Sequence, residues 1–442
     1  MNIVLRRVCF VKIKSIKLQN FRCFENLELS FHQQLTVIVG KNASGKSTVL
    51  DAVAISAGTF PSAFDGMANY GIKKEDARLV TNIFGDSLNT SSVYPVILSS
   101  TGVIDNHDVY WERKLTGSTG RCTFAFAKQI TSITSEYQNK IIEGDTTVVL
   151  PLVAYYGTGR LWLQHREKKE DVLLKSSRTN GYIDCMDSAA NDKLIMNWFS
   201  KETSKKLQKK TGTAAFDAVI MAIEKCISRL IESDSVVVSY NFDNNDLDIQ
   251  YKRDDQDVIL PLNRMSDGYK CTISLITDIA YRMAQLNPQL REKVLDTPGV
   301  VIVDEIDLHL HPEWQKRILD DLTSIFPNIQ FIVSTHASSV ISSVKSENLI
   351  VLENNSASAP IGEVYGKDSN TIHSGVMGSS ERPDPIKTLF SEFYNALNTL
   401  EFVKAKSVIS EIEGLIGTND SELSACYTKL KFAELKAGRN ND

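Results

Sequence analysis

Apolar and polar positions alternate at the start of the chain. In VKIKSIKL (residues 11–18), Val11, Ile13, Ile16 and Leu18 stand among lysines, a pattern that predicts a strand with one wet face. A second strand is expected near 26–31. LTVIV at 35–39 is an unbroken apolar run, as in a strand buried on both faces, and a helix should follow from Ser47 to Ser56. Residues 60–90 are mixed, with a helix expected near Lys73 to Val80. Between 93 and 127 the segments VYPVIL, DVYWERKL and CTFAFA predict an antiparallel sheet. TTVVLPLVAYY at 146–156 reads as another buried strand, ended by the glycine-rich turn GTGR.

Residues 161–232 are richer in Lys, Glu and Ser. Phe216, Val219, Ile220, Ile223, Ile227, Leu230 and Ile231 fall at helical spacing, but no heptad persists long enough for a coiled coil. Alternation returns over 236–262, with a turn at Asn244–Asn245. A helix over 267–286, a buried strand VVIVDE at 300–305, a helix at 312–325 and a buried strand IQFIVST at 329–335 complete the main body. The polar stretches NNSASAP (354–360) and SSERPDP (379–385) read as linkers. Beyond them two apolar stripes, Ile386 to Leu397 and Phe402 to Ile416, predict a terminal helical hairpin suited to docking a partner or to packing on the body.

Composition changes this picture little. Apolar content is 42% and charged content 23%, an ordinary globular mixture, and the net charge of −5 argues against a uniformly basic coat for nucleic acid. A local basic face remains open at Lys201, Lys205, Lys206, Lys209 and Lys210. The seven cysteines form no CxxC pair, which suits reduced thiols. No apolar run approaches the ~18 residues that span a bilayer, and the first residues lack the pattern of a signal peptide, so a cytoplasmic protein without a membrane contact is expected.

The chemistry lies at the strand ends. Gly40-Lys41-Asn42-Ala43-Ser44-Gly45-Lys46-Ser47, followed by Thr48, matches GxxxxGK[ST] between a buried strand and a helix. Glycines there let backbone N–H groups cradle phosphate, Lys46 would reach the β and γ phosphates, and Ser47 would ligate Mg²⁺. Asp304 and Glu305 close an apolar strand: Asp304 suits Mg²⁺ coordination and Glu305 suits the base that orients the attacking water. His336 follows the next buried strand and is a candidate partner for the γ-phosphate or that water. Ser266 and Gly268, at the head of a helix, would form a second anion site.

Walker A, signature, Walker B and His-switch occur here in the order of ABC ATPases. IKLQNFRCFENLELSF before GKNASGKST, and EIDLHLHPEWQ after the Walker B acids, resemble the RecF and SMC branch over roughly residues 11–352. The resemblance implies an α/β ABC head, with a mixed sheet around the P-loop, an antiparallel β lobe and a helical lobe. It implies ATP sandwiched between two heads, Arg22 near the nucleotide and Asp307 as the D-loop residue. The Q-loop glutamine is not obvious. Gln164 is the candidate for it and for a metal contact, and Arg160 is a candidate phosphate contact. Boundaries are expected at 1–160, 161–262, 263–352 and 353–442.

No long arm separates Ser47 from Ser266, and no acidic nuclease cluster follows the last core strand. The tail YGKDSNTIHSGVMGSSERPDP resembles the PtuA-type ATPases of Septu and retron-linked anti-phage defence. That resemblance implies a homodimer or larger assembly, an HNH nuclease on a separate PtuB-like chain and, in retrons, a reverse transcriptase–RNA complex. A RecF-like repair ATPase and a nucleotide-gated scaffold with little turnover are the rival readings.

Overall fold

The structure is a computed structural model describing residues 11–84, 87–124, 126–161, 177–187, 192–209, 213–253, 256–376 and 382–439. In chain order its elements are β1 (Val11–Phe21), β2 (Phe24–Ser30), β3 (Leu35–Val39), α1 (Lys46–Ala57), β4 (Leu79–Phe84), β5 (Ser87–Ser92), β6 (Val96–Ile104), β7 (His107–Leu115), α2 (Lys128–Ile142) and β8 (Leu152–Tyr156). There follow α3 (Asp192–Lys209), α4 (Ala214–Ile231), β9 (Val236–Asn241), β10 (Asp246–Arg253), β11 (Gln256–Pro261), α5 (Asp267–Leu286), β12 (Gly299–Val303), α6 (Pro312–Gln315), α7 (Ile318–Ile325), β13 (Ile329–Thr335) and α8 (Ser338–Ile341). β14 (Leu349–Glu353), β15 (Ser356–Ser358), α9 (Ser369–Gly375), α10 (Asp384–Asn398), α11 (Phe402–Ile416) and α12 (Ser421–Arg439) end the chain.

The central sheet runs β15-β14-β3-β13-β12-β8, and all its neighbours pair in parallel except β15. The strands LTVIV, GVVIV and IQFIVST, with Thr36, Gln330, Ser334 and Thr335 as their polar members, occupy its middle and are buried along almost their whole length, as parallel strands covered on both faces must be. A second, antiparallel sheet runs β2-β1-β6-β7. Gln330, buried on β13, locks the two sheets together: its Oε1 accepts from the Ile13 N–H at 2.9 Å and its Nε2 donates to the Ile13 carbonyl at 2.8 Å. β1 carries an irregularity between Ile13 and Ser15. This bulge explains how Val11, Ile13, Ile16 and Leu18 are all buried although the spacing slips by one residue midway.

Several expectations change. The helix expected over Lys73 to Val80 is one short turn, Lys74–Asp76, followed by β4. Asp76 turns back to accept from the Lys73 N–H, closing the turn locally, and Leu79 to Phe84 then pair with β5. Among its described residues CTFAFA contributes only a bridge from Thr123 to Lys114. The helix α2 behind it was not anticipated, although its buried Ile130, Thr134 and Tyr137 carry helical spacing. The helix expected over 312–325 is divided into α6 and α7.

The chain forms two compact units, Met1–Met377 and Gly378–Asp442. The described residues of the terminal unit form three helices rather than a hairpin, because Leu423, Cys426 and Leu430 of α12 complete the core formed by Phe390, Phe393, Val408, Ile409 and Ile412. Most of the two apolar stripes is thus used inside this unit, while Val403, Leu415, Phe432 and Leu435 stay exposed. The basic run in α3 is partly neutralised: Lys205 pairs with Glu202 and Lys206 with Asp217. No helix among the described residues is long and apolar enough to cross a membrane.

α5 is anchored by a buried ion pair. Arg282 Nε donates to Asp278 Oδ2 at 2.7 Å with both side chains about 95% covered, and Tyr156 of β8 donates to the same oxygen at 2.7 Å. Arg282 also donates to the carbonyls of Gly181 and Ile183. Replacing Arg282 by Leu strands the Asp278 carboxylate and is expected to cost about 3–5 kcal/mol. The urea midpoint followed by tryptophan fluorescence checks this for the first unit alone, since residues 378–442 contain no tryptophan.

Candidate nucleotide site

Parallel strands end at one edge of a sheet, and ligands of such sheets bind outside those carboxyl ends. Here β3 leads into the P-loop, β12 into Asp304 and Glu305, β13 into His336, and β8 into Gly157. Gly45 takes a left-handed φ of 94° at the head of α1, and a Cβ there would lie 2.5 Å from Phe24 Cζ. At Gly40 a Cβ would meet the Leu352 carbonyl at 2.4 Å. Side chains are therefore excluded from both ends of the loop, and Ala43 between them is also left-handed, with φ 66°.

Lys46 folds over this loop, its Nζ donating to the carbonyls of Gly40 at 2.8 Å and Lys41 at 3.1 Å. Burial lowers its pKa, against the pull of Asp304, Glu305 and Asp307, which favour the charged ammonium. Ser44 Oγ is buried without a hydrogen-bond partner. A polar atom left unsatisfied in a loop closed to side chains suits an oxygen-rich ligand such as phosphate.

Ser47 and Asp304 line one cleft of about 440 Å³ together with Arg22, Asp51, Tyr70, Asp76, Tyr155 and the Gly157–Gly159 turn. Arg22, at φ 50°, is held by two carboxylates: it donates to Asp76 Oδ1 at 2.8 Å and to Asp51 Oδ2. Burial opposes the guanidinium charge, but Asp51 and Asp76 outweigh it and raise the pKa. Tyr155 donates to the other oxygen of Asp51 at 2.7 Å. Desolvation, then the Asp51 charge, drive the Tyr155 pKa far up, so the phenol keeps its proton.

Asp304 and Asp307 are buried. Ser334 Oγ donates to Asp304 Oδ1, and Thr335 Oγ1 donates to Asp307 Oδ1 at 2.5 Å. His336 Nδ1 lies 3.6 Å from Asp307 Oδ2, with half of the imidazole exposed. Glu305 is left-handed, at φ 48°. Ser266 caps α5 from an exposed position without a side-chain capping bond, and Gly268 is buried where a Cβ would reach the His309 carbonyl at 2.5 Å. Neither residue lines the cleft around Ser47. Gln164 lies outside the described residues, as does the side chain of Arg160.

The structure thus brings Arg22, Ser47 and Asp304 to one cleft. Reasoning from sequence passed over Asp51, Asp76, Tyr155, Ser334 and Thr335. Asp51 had a signal: it is four residues after Ser47, on the same face of α1. Ser334 and Thr335 stood beside His336 in plain view. Asp76 had none, since its pairing with Arg22 spans 54 residues.

Two family models match the chain, one described as AAA domain over residues 15–231 and one as AAA ATPase domain over residues 125–341. The retron Vc95 probable ATPase of Vibrio cholerae serotype O1 biovar El Tor is 26% identical, over 84% of this chain and 80% of the relative. The retron Ec83 probable ATPase of Escherichia coli is 26% identical, over 93% and 85%. Septu protein PtuA of Bacillus mycoides (strain KBAB4) is 24% identical over 87% of this chain, though the match spans only 47% of that protein. The chain is similar to the retron and Septu ATPases over most of its length. Among solved structures, an Smc head bound to the C-winged helix domain of ScpA aligns with 78% of this chain and 97% of its own, at 18% identity and a TM-score of 0.47.

The close approach at Gly45 offers a direct test of the phosphate loop. Gly45→Val adds a branched side chain against Phe24 at a left-handed position. It is expected to weaken ATP binding more than 100-fold, about 3 kcal/mol, in equilibrium titration with a fluorescent ATP analogue.

Proposed function

We propose that the chain binds ATP with Mg²⁺ between the heads of two copies, hydrolyses it, and uses the cycle to gate a nucleic-acid-directed effector in anti-phage defence. The observation that carries the reading is a meeting at one sheet edge: Ser47, in the first turn after the P-loop, and Asp304, at the end of the strand two places away, line one cleft.

The residues fit the ligand. Gly40, Asn42, Ala43, Ser44, Gly45 and Thr48 would present the loop to the phosphates, and Lys46 would hold their charge. Ser47 and Asp304 would hold Mg²⁺, with water and phosphate oxygens completing its shell. When bound, the ion neutralises developing charge on the phosphate oxygens. Glu305 would orient the attacking water and draw off its proton, and His336 would steady the γ-phosphate. Ser266 and Gly268, at the N-terminal end of α5, would close on the nucleotide of the other copy, next to Asp307. Arg22 would lie beside the nucleotide, tethered by Asp51 and Asp76.

The effector is proposed to be an HNH nuclease on a separate chain, joined by a reverse transcriptase–RNA complex where the system is a retron. The relatives are named for retrons and for Septu, and the exposed Val403, Phe432 and Leu435 of the terminal unit support a docking role there.

Glu305→Gln is expected to bind ATP, lower turnover about 100-fold or more and accumulate a dimer, read by phosphate release and by light scattering on a sizing column. Lys46→Ala is expected to remain monomeric and lose ATP. Wild-type protein that binds ATP but releases no phosphate, alone or with its partners, would replace the motor reading by a scaffold.

A further inference from the structure

Residues 304–308 depend on the end of β13 for their shape. We propose that Ser334 and Thr335 are positioning residues for hydrolysis, Ser334 setting the direction of Glu305 and Thr335 coupling Asp307 to His336. The inference rests on the ATPase reading above.

Both side chains are wholly buried, where a hydroxyl is costly unless its bonds are made. Ser334 Oγ makes two. It accepts from the Glu305 N–H at 2.8 Å and donates to Asp304 Oδ1. One oxygen therefore fixes the side chain of the proposed Mg²⁺ ligand and the backbone of the proposed base. The backbone bond matters because Glu305 is left-handed at φ 48°, a conformation that a residue with a Cβ keeps only when its surroundings enforce it. The Ser334 carbonyl takes the next amide, Ile306 N–H, at 3.0 Å, and Leu308 N–H returns to the Glu305 carbonyl at 3.0 Å. The turn that aims the Glu305 side chain is thus clamped on Ser334 from both its hydroxyl and its carbonyl.

Thr335 makes the complementary pair of bonds. Its Oγ1 donates to Asp307 Oδ1 at 2.5 Å and accepts from the Ala337 N–H at 3.0 Å, so it holds Asp307 and the chain on the far side of His336 with one atom. Asp307 Oδ2 is left facing His336 Nδ1 at 3.6 Å. A displacement of Asp307 passes to His336 through the shared carboxylate and through the Thr335 hydroxyl. Adjacent strand residues point to opposite sides, yet both reach one acidic segment, because the left-handed Glu305 turns that segment across the end of β13.

A purely structural role would lower stability, ATP affinity and turnover together. Positioning separates them, since misplacing a base by an ångström costs about 100-fold in rate and little in binding. The test uses the full chain with its partners and compares Ser334→Ala, Thr335→Val and Thr335→Ser with wild type and Glu305→Gln. Expected is a kcat about 10–100-fold lower in Ser334→Ala and about tenfold lower in Thr335→Val, ATP Kd within about threefold of wild type in both, and recovery in Thr335→Ser, which restores the hydroxyl. If Ser334→Ala does not fold, the valine–serine pair decides alone. Wild-type turnover in both hydroxyl-free variants, with Glu305→Gln inactive, overturns the inference by itself. So does a fall in kcat matched by an equal loss of ATP affinity. A wild-type protein without turnover overturns the inference together with the ATPase reading.

Discussion

The parallel ladder of β14, β3, β13, β12 and β8 is the constraint on which the site depends. In such a ladder every strand points the same way, so the segments leaving β3, β12, β13 and β8 emerge side by side although the sequence spreads them over nearly 300 positions. The apolar runs do this work by being buried on both faces. A charged residue inside GVVIV or LTVIV would cost core energy and also move the loop that follows, while the buried Thr36 of LTVIV is bonded, accepting from the His32 N–H. The one polar side chain that does enter this region early in β13, Gln330, is fully satisfied by the backbone of β1 and His32. It ties the antiparallel lobe, and with it Arg22, to the same frame.

That frame explains what could be read from the sequence and what could not. An unbroken apolar run followed by glycines or acids is a local pattern, and GKNASGKST, VVIVDE and STH were visible for that reason. The P-loop glycines, Lys46, Ser47, Asp304, Glu305 and His336 were named from such patterns, and the structure places each at the end of its buried strand, in the loop that follows or, for Lys46 and Ser47, in the first turn of α1. The helical reading of 73–80 failed because the segment is short and its outcome rests on pairing with β5, and because Asp76 is engaged by Arg22 from a distant turn. The third terminal helix was missed because its apolar residues are sparse and gain meaning only against α10 and α11.

The charges have a consistent logic. Arg22 sits between Asp51 and Asp76, and Lys46 feels three further acids. Arg22 is therefore compensated before any ligand arrives, and a triphosphate would have to compete with its carboxylates. Lys46 instead donates to the Gly40 and Lys41 carbonyls, and burial outweighs the pull of the acids on its charge. A divalent ion shifts that competition. Placed at Ser47 and Asp304 it would satisfy an acid and add positive charge to the phosphate side, as metal ions do at phosphoryl-transfer sites. The same acids that would repel a bare polyphosphate then favour one that arrives with its metal. This is a physical reason for a site of this composition to discriminate Mg²⁺-ATP from free ATP.

His336 is half exposed and Ser266 is exposed. Catalytic electrostatics gain strength where water is excluded. Asp304 and Asp307 are already buried, but His336 remains half open to solvent and the head of α5 faces outward. A single chain thus leaves one wall of the proposed site wet. Something must cover it for the γ-phosphate end to become dry, and an exposed hydroxyl at the positive end of a buried 20-residue helix is chemically suited to do so. Closure between two copies would then bury two sites at once, each contributing the part the other lacks. Hydrolysis would become conditional on assembly, which is the property a gate for a destructive partner requires.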